Sequence, residues 1–249
     1  MYKMIISDLD GTLLRSDQVI SRESIDFING LNVPFVVATG RIVGDVKKLL
    51  NGIKFKYAIT ANGAIIYDME EDKVIYEKHI SKEAIKKCYD IIKNTCDETY
   101  VSMIDDWTKI ENEETLDKLG NTYTMSAFFN KEEDYRELED DILGLGLKTL
   151  FMKDTYSDRY YMEILSTGLN KRVAIEYMLS EFGLEIEDIL AFGDSENDLE
   201  MLGAVGHGVA MKNAVEELKE IADDIAPKTN DEDGVMHYIK EKLGVKAYV

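Results

Sequence analysis

Strand and helix signals alternate at both ends of this chain, whereas its middle runs to paired strands, and the two patterns together predict an α/β fold with a second unit inserted. Three observations carry that prediction. The runs Met4–Ser7, Pro34–Ala38 and Ile189–Phe192 are almost continuously apolar, as strands buried on both faces are. Helical periodicity separates them, which implies a parallel sheet with helices on both faces. Finally, 249 residues lie near the ceiling of roughly 250–300 for one hydrophobic core, so a domain with a sizeable insert is expected.

The elements follow in order. Met4–Ser7 reads as a strand, and Ser21–Leu31 as a helix capped by Ser21 with Ile25 and Ile28 on its apolar face. Pro34–Ala38 is the next strand and Val43–Leu50 the next helix. Tyr57–Thr60 and Ala64–Tyr67 flank Asn62-Gly63, a hairpin signal, and Val74–Tyr76 adds a further strand. Toward the other end, Lys171–Phe182 reads as a helix ending at Gly183, Ile189–Phe192 as a strand and Asp198–Leu202 as the start of a helix. His207–Ala210 is a short strand and Ala214–Ile221 another helix. In the middle, Ser81–Asn94 and Glu132–Leu143 read as helices, and Thr99–Ile104 with Thr108–Glu111 as a hairpin. Thr122–Phe129, Lys148–Lys153 and Arg159–Leu165 read as strands. Strand pairs separated by helices suit a distinct α+β unit, with limits near Ser81 and Gly168.

Composition bounds the function. Lys and Arg total 29 against 49 Asp and Glu, a formal net charge of −20, which argues against nucleic acid or an anionic membrane as the main partner. It does not exclude a phosphorylated substrate, because distant charges are screened over about 8 Å at physiological salt. Cys88 and Cys96 are the only cysteines and show neither zinc spacing nor a disulfide framework, so both are expected to stay reduced. No basic-plus-apolar leader and no 18-residue apolar run occurs, which sets a cytoplasmic protein as the expectation. Nothing in the chain signals an oligomeric state.

Chemistry concentrates at strand ends. Asp8 and Asp10 close the run Met4-Ile5-Ile6-Ser7-Asp8-Leu9-Asp10-Gly11-Thr12. Alternate strand residues share a face, so both carboxylates can aim at one point, where each raises the other's pKa unless a cation or shared proton intervenes. One acid can then serve as nucleophile and the other as general acid and base. The same residues also read as a polar strand-to-loop turn. Gly193-Asp194-Ser195-Glu196-Asn197-Asp198 follows a second strand, and its carboxylates beside Asp8 would form a hard oxygen pocket suited to Mg²⁺. Ser195-x-x-Asp198 also reads as a capping box, which leaves Asp194 and Asn197 unexplained. Thr39-Gly40 offers a hydroxyl and close backbone approach for a phosphate oxygen, or else a plain strand-to-helix turn. Lys171 opens a helix, where the dipole disfavours a cation, and that placement invites a functional explanation.

Taken jointly and in this order, the segments resemble the haloacid dehalogenase superfamily of aspartate-nucleophile phosphohydrolases. Asp8-Leu9-Asp10-Gly11-Thr12 matches the first family motif, Thr39 the second, Lys171 the third, and Gly193-Asp194 through Asp198 the fourth. The insert between the second and third motifs is similar to a C2-type cap. Thr60-Ala61-Asn62-Gly63-Ala64, Ala210-Met211-Lys212-Asn213-Ala214 and Thr229 through Gly234-Val235 look like the Cof-type branch, subclass IIB. Arg172 and Lys212 stand where that branch usually has glycine, and the insert is short for it. The resemblance implies a Rossmann-like core over 1–80 and 169–249 and an α+β cap over 81–168.

It also implies a mechanism. Asp8 attacks phosphorus to give an aspartyl-phosphate, while Asp10 protonates the leaving alkoxide and then activates water. Asp8, the Asp10 carbonyl and Asp194 hold Mg²⁺, with Asp198 positioning the metal or its waters. Leu9, Thr39, Gly40, Lys171 and Asn197 would bind the phosphate and stabilise charge on its equatorial oxygens. Arg41 could bind a second anionic group, and Arg159, Tyr160, Tyr161 and Trp107 of the cap could meet the leaving group, although cap aromatics more often form core. The expected reaction is Mg²⁺-dependent hydrolysis of a small phosphorylated metabolite, such as a sugar phosphate. The rivals are a phosphomannomutase-like phosphotransferase, which would need an Arg-rich second phosphate pocket where the cap has only Arg136 and Arg159, and a non-catalytic phosphate-ligand binding protein.

Overall fold

The computed structural model describes residues 2–131, 138–153 and 159–243. Its elements begin with β1 (Met4–Ser7), α1 (Arg22–Asn29), β2 (Phe35–Ala38), α2 (Val43–Leu49), β3 (Tyr57–Thr60), β4 (Ile65–Asp68) and β5 (Lys73–Glu77). There follow α3 (Lys82–Ile92), β6 (Glu98–Ser102), β7 (Trp107–Lys109), α4 (Glu113–Asp117), β8 (Met125–Phe129), α5 (Glu139–Leu143), β9 (Leu147–Lys153) and β10 (Tyr160–Ser166). The chain then runs through α6 (Lys171–Phe182), β11 (Ile189–Gly193), α7 (Leu199–Leu202), β12 (His207–Ala210), α8 (Glu216–Ile221), β13 (Asp224–Ile225) and α9 (Gly234–Leu243). Among the described residues, no helix is long and apolar enough to cross a membrane.

The described chain packs as two compact units, one from residues 2–41, 46–76 and 170–243, the other from Ile42–Asp45 and 77–169. The first holds an eight-stranded sheet in the order β13-β12-β11-β1-β2-β3-β4-β5. Neighbours from β13 to β3 run parallel, and β4 turns back antiparallel to β3. Every residue of β1, β2 and β11 is buried, which is why these strands read as unbroken apolar runs. The Asn62-Gly63 hairpin forms with residues 61–64 between the paired Thr60 and Ile65, and Ala61, Asn62 and Gly63 all take positive φ. Asn170 caps α6 by accepting from the Val173 amide at 2.8 Å, and Gly183 ends the helix at φ +65°.

The second unit is a five-stranded antiparallel sheet, β7-β6-β8-β10-β9, with its own core. Ile85, Cys88 and Ile92 of α3 and Ile142 of α5 pack on alternate strand residues such as Val101, Ala127, Phe129, Met162 and Ile164. Both cysteines are free thiols. The helix expected over Glu132–Leu143 is seen as α5, and its first part, with Arg136, lies outside the described residues. Helices α4 and α9 and strand β13 were not expected from the sequence. For α9 a signal exists: Val235, Tyr238 and Ile239 are spaced for one helix face and are buried.

Candidate active site

β1 lies between β11 and β2, with Ser7 opposite Phe192 on one side and Val37 on the other. The residues that follow, Asp8, Gly193-Asp194 and Ala38-Thr39, therefore leave the sheet at the same edge. The Asp8 amide still donates to the Phe192 carbonyl at 3.0 Å. This edge is the carboxyl end of the parallel strands, at the point where chain progression reverses about β1, and open α/β sheets bind ligands there.

Lys171 is the centre of the charge arrangement. Only 1% of the residue is exposed, and its Nζ donates to Asp8 Oδ1 at 2.6 Å and to Asp198 Oδ1 at 2.7 Å. Burial works against its charge, but Asp198 and Asp8 outweigh burial and hold the ammonium above its ordinary range. That double ion pair explains a lysine at a helix start. Asp198 is fully buried; its Oδ2 accepts from the Asp194 and Ser195 amides at 3.0 and 3.3 Å. The capping function and the charged function read from the sequence thus coexist in one carboxylate.

Asp8, Asp194 and Asp198 offer oxygens that all lie within 4.8 Å of one another. Three carboxylates against one ammonium leave negative charge uncompensated in a buried place, and the titration responds. Burial pushes Asp8 well above the carboxylate range; Lys171 opposes the rise, while Asp198, Asp194 and Asp10 add to it. Asp194 is pushed up to about 7 by burial and then by Asp198, with the Thr12 hydroxyl acting against the rise. Hard oxygen donors, close convergence and a missing positive charge fit a divalent cation of the Mg²⁺ type.

Asp10 is held elsewhere. Arg41 donates through Nε to Asp10 Oδ2 at 2.7 Å and through Nη2 to Oδ1 at 2.6 Å, a bidentate fork. The Arg41 amide donates to Thr39 Oγ1 at 3.1 Å, so a buried Thr39 and Asp10 share one neighbour. Asn197 donates to the buried Asn62 Oδ1 at 3.0 Å, and a Cβ on Gly40 would sit 3.1 Å from the Asn62 amide nitrogen. Leu9 is wholly buried and its carbonyl accepts from the amides of Thr12, Leu13 and Leu14, so only its own N–H is suited to a phosphate.

Sequence reasoning left Thr12 and Asn62 without a role in the site. Thr12 Oγ1 donates to Asp194 Oδ1 at 2.8 Å, and its signal was its place in the Asp8–Thr12 motif. Gly11, at φ +77°, lies against Asp194 so closely that a Cβ would collide with the carboxylate. In the second unit, Tyr161 stacks on Phe128, Tyr160 stacks on Phe151, and Arg159 lies 4.8 Å over the Phe128 ring while bonding Glu98 at 2.8 Å. Trp107 is half-buried on β7. Arg172 bonds Glu176 one turn along its helix, and Lys212 is exposed.

Known proteins share this plan. The chain is 30% identical over 242 residues to a 5-amino-6-(5-phospho-D-ribitylamino)uracil phosphatase of Bacillus subtilis, covering 96% of this chain and 94% of that protein. A second B. subtilis protein of the same description is 32% identical over 283 residues, covering 97% and 98%. A haloacid dehalogenase-like hydrolase from Bacteroides thetaiotaomicron superposes with a TM-score of 0.84 at 25% identity, over 96% of this chain and 99% of that one. A subclass IIB sugar phosphatase shares the fold at a TM-score of 0.80 and 23% identity, over 98% and 100%. The profile of haloacid dehalogenase-like hydrolases matches residues 5–239. With its strand-end aspartates, buried lysine and inserted antiparallel unit, the chain belongs to the haloacid dehalogenase-like hydrolase family.

Proposed function

We propose that this chain is a Mg²⁺-dependent phosphatase that hydrolyses a small phosphorylated metabolite through an aspartyl-phosphate on Asp8. The observation that carries the reading is the buried Asp8 carboxylate, bonded to Lys171 at 2.6 Å within a cluster of converging acidic oxygens. A bound Mg²⁺, held by Asp8, the Asp10 carbonyl and Asp194, would screen the anionic nucleophile from the phosphate dianion and favour ionised Asp8 and Asp194. Asp198 would act through Lys171, and on the metal through water, because both its oxygens already accept hydrogen bonds.

The chain's own residues do the rest. One Asp8 oxygen forms a bond to phosphorus as the bond to the leaving oxygen breaks. Protonated Asp10 gives its proton to that oxygen. Asp10, now a carboxylate, takes a proton from water as the water oxygen bonds to phosphorus and Asp8 leaves, which frees inorganic phosphate and restores both acids. Lys171, Thr39, Asn197 and the amides of Leu9 and Gly40 would stabilise charge on the equatorial oxygens. Arg41 must loosen its hold on Asp10 before the acid can act, so its first role is with Asp10 and only its second, if freed, with an anionic substrate.

For the substrate, the relatives named as phosphoribitylaminouracil phosphatases support a phosphomonoester on a sugar or sugar-alcohol chain. Arg159, the one described arginine of the inserted unit, is engaged by Glu98, which favours hydrolysis over a mutase's second phosphate pocket. The test is a screen of sugar and polyol phosphates with and without Mg²⁺. Wild-type protein is expected to release phosphate only with the metal, and Asp8→Asn to lose turnover while keeping its far-UV circular dichroism. Phosphate release by Asp8→Asn at the wild-type rate would reject the nucleophile.

A further inference from the structure

We propose that the segments Met211–Ala214 and Thr229–Gly234 form a positioning clamp on the loop Gly11–Ser16, and that Asn213 is its exposed key residue. The inference rests on the functional reading above and adds residues that touch neither substrate nor metal. Four positions of the loop are gripped. Asn213 Nδ2 donates to the Gly11 carbonyl at 2.8 Å, and the buried Asn230 Nδ2 donates to the Leu14 carbonyl at 2.9 Å. Arg15 places Nη2 on Asp233 Oδ2 at 2.6 Å and Nε on Oδ1 at 3.3 Å. Ser16 donates its amide and its hydroxyl to the two oxygens of Asp231, each at 2.8 Å.

The two gripping segments are also joined to each other, because the Asn230 amide donates to Asn213 Oδ1 at 3.1 Å. One asparagine side chain thus spends its donor on the loop and its acceptor on the second segment. That segment runs into α9, whose Val235, Met236, Tyr238 and Ile239 are buried in the main core, so the grip is anchored. Asp233 takes φ +56°, in the left-handed region that aspartate enters more readily than most residues, and its carboxylate holds Arg15 from there.

What the loop carries gives the clamp its purpose. Thr12 donates to Asp194, and Gly11 lies directly against the same carboxylate. The loop's continuation brings Gln18 Oε1 to Arg41 Nη2 at 3.3 Å, and Arg41 holds Asp10. Both the acid proposed for the metal and the acid proposed for proton transfer therefore depend on where this loop sits. Thr12, Leu13 and Leu14 all bond back to the Leu9 carbonyl, so the start of the loop is a compact turn whose positions are tied to one another.

The experiment compares wild type with Asn213→Ala and Asn213→Asp, measuring Mg²⁺ affinity by calorimetry, kcat and KM on p-nitrophenyl phosphate, and thermal stability. Asn213 is exposed, so folding should be nearly unaffected. Both variants are expected to bind Mg²⁺ several-fold more weakly and to lose kcat ~10-fold, with KM within about 2-fold, as small misplacements of a supporting shell do. Asn213→Asp keeps the size but sets a carboxylate against the Gly11 carbonyl, so it should be no better than alanine. Unchanged Mg²⁺ affinity and kcat in Asn213→Ala, full recovery in Asn213→Asp, or losses that merely follow the melting temperature would overturn the clamp. Weakened Mg²⁺ affinity in the variants of a wild type without phosphatase activity would keep the clamp and reject the phosphatase reading.

Discussion

Arg41 meets Asp10 with two nitrogens on two oxygens, both partners only partly exposed, and this geometry decides between two roles for the arginine. A guanidinium engaged in a fork is largely neutralised, so it offers little to a second anion until it lets go. If Arg41 chiefly orients Asp10, Arg41→Lys, which cannot reproduce the fork, should lower kcat by ~10- to 100-fold with KM changed less than about 2-fold. If it chiefly binds substrate, KM should rise with kcat retained. Steady-state kinetics on a sugar phosphate separates the two, and the first outcome is expected. The partnership was not legible in the sequence, where Arg41 stood as a candidate for a second anionic group; it depends on side chains 31 positions apart. Asp8, Asp10 and Asp194 were legible because each follows an apolar strand within a few residues. Lys171 was legible through an anomaly, a cation at the wrong end of a helix dipole. Asn62 was visible as a turn residue and within a segment of the Cof-type resemblance, but without a role, since its burial and its bond to Asn197 come from the fold.

The helix that delivers Lys171 begins at its own cap. Asn170 accepts from the Val173 amide, and Lys171 is the first residue of α6, so the cap fixes the point from which the ammonium reaches Asp8 and Asp198. Asn170→Ala should cost about 1 kcal/mol of stability, read by urea denaturation, and should lower kcat by more than the loss of folded protein explains. Asn170→Asp, which also caps, should restore most of both; a fully active alanine variant would show that the cap does not aim the lysine. At this scale the strands were the most readable elements, because burial on both faces leaves an unbroken apolar run. Short pieces such as α4 and β13 were not, since five and two residues carry too little periodicity to register. Helix α9 starts inside Thr229 through Gly234-Val235, a stretch that stood in the sequence only as part of the Cof-type resemblance, and the left-handed Asp233 turns the chain into it.

At the scale of the whole molecule, the sequence carries a formal net charge of −20, and charges exposed to solvent are screened, whereas the few buried carboxylates among the described residues are not. Their unbalanced charge should be visible in stability. Burial and Asp198 push folded Asp194 up to about 7 from its usual 3.8, so between those values the folded protein holds a proton that the unfolded chain has released. That proton favours folding, and its contribution is lost as pH rises through the window. Asp8, raised in the same direction by burial, adds to the trend. The metal-free protein is therefore expected to melt at a lower temperature at pH 8 than at pH 5. Mg²⁺ competes with the proton for the same oxygens, so it should raise the melting temperature more at pH 8 than at pH 5. At 100 times its dissociation constant a ligand stabilises by about 2.7 kcal/mol, a shift on the order of 5 °C or more for a chain of this size. Surface repulsion also grows with pH, and Asp194→Asn separates the two causes by removing the titrating acid while leaving the surface untouched. In that variant the pH 5 to pH 8 difference should shrink and the Mg²⁺ shift should largely disappear. An Mg²⁺ shift of equal size at both pH values in wild type, or one that survives Asp194→Asn intact, would place the cation somewhere other than the cluster beside Lys171.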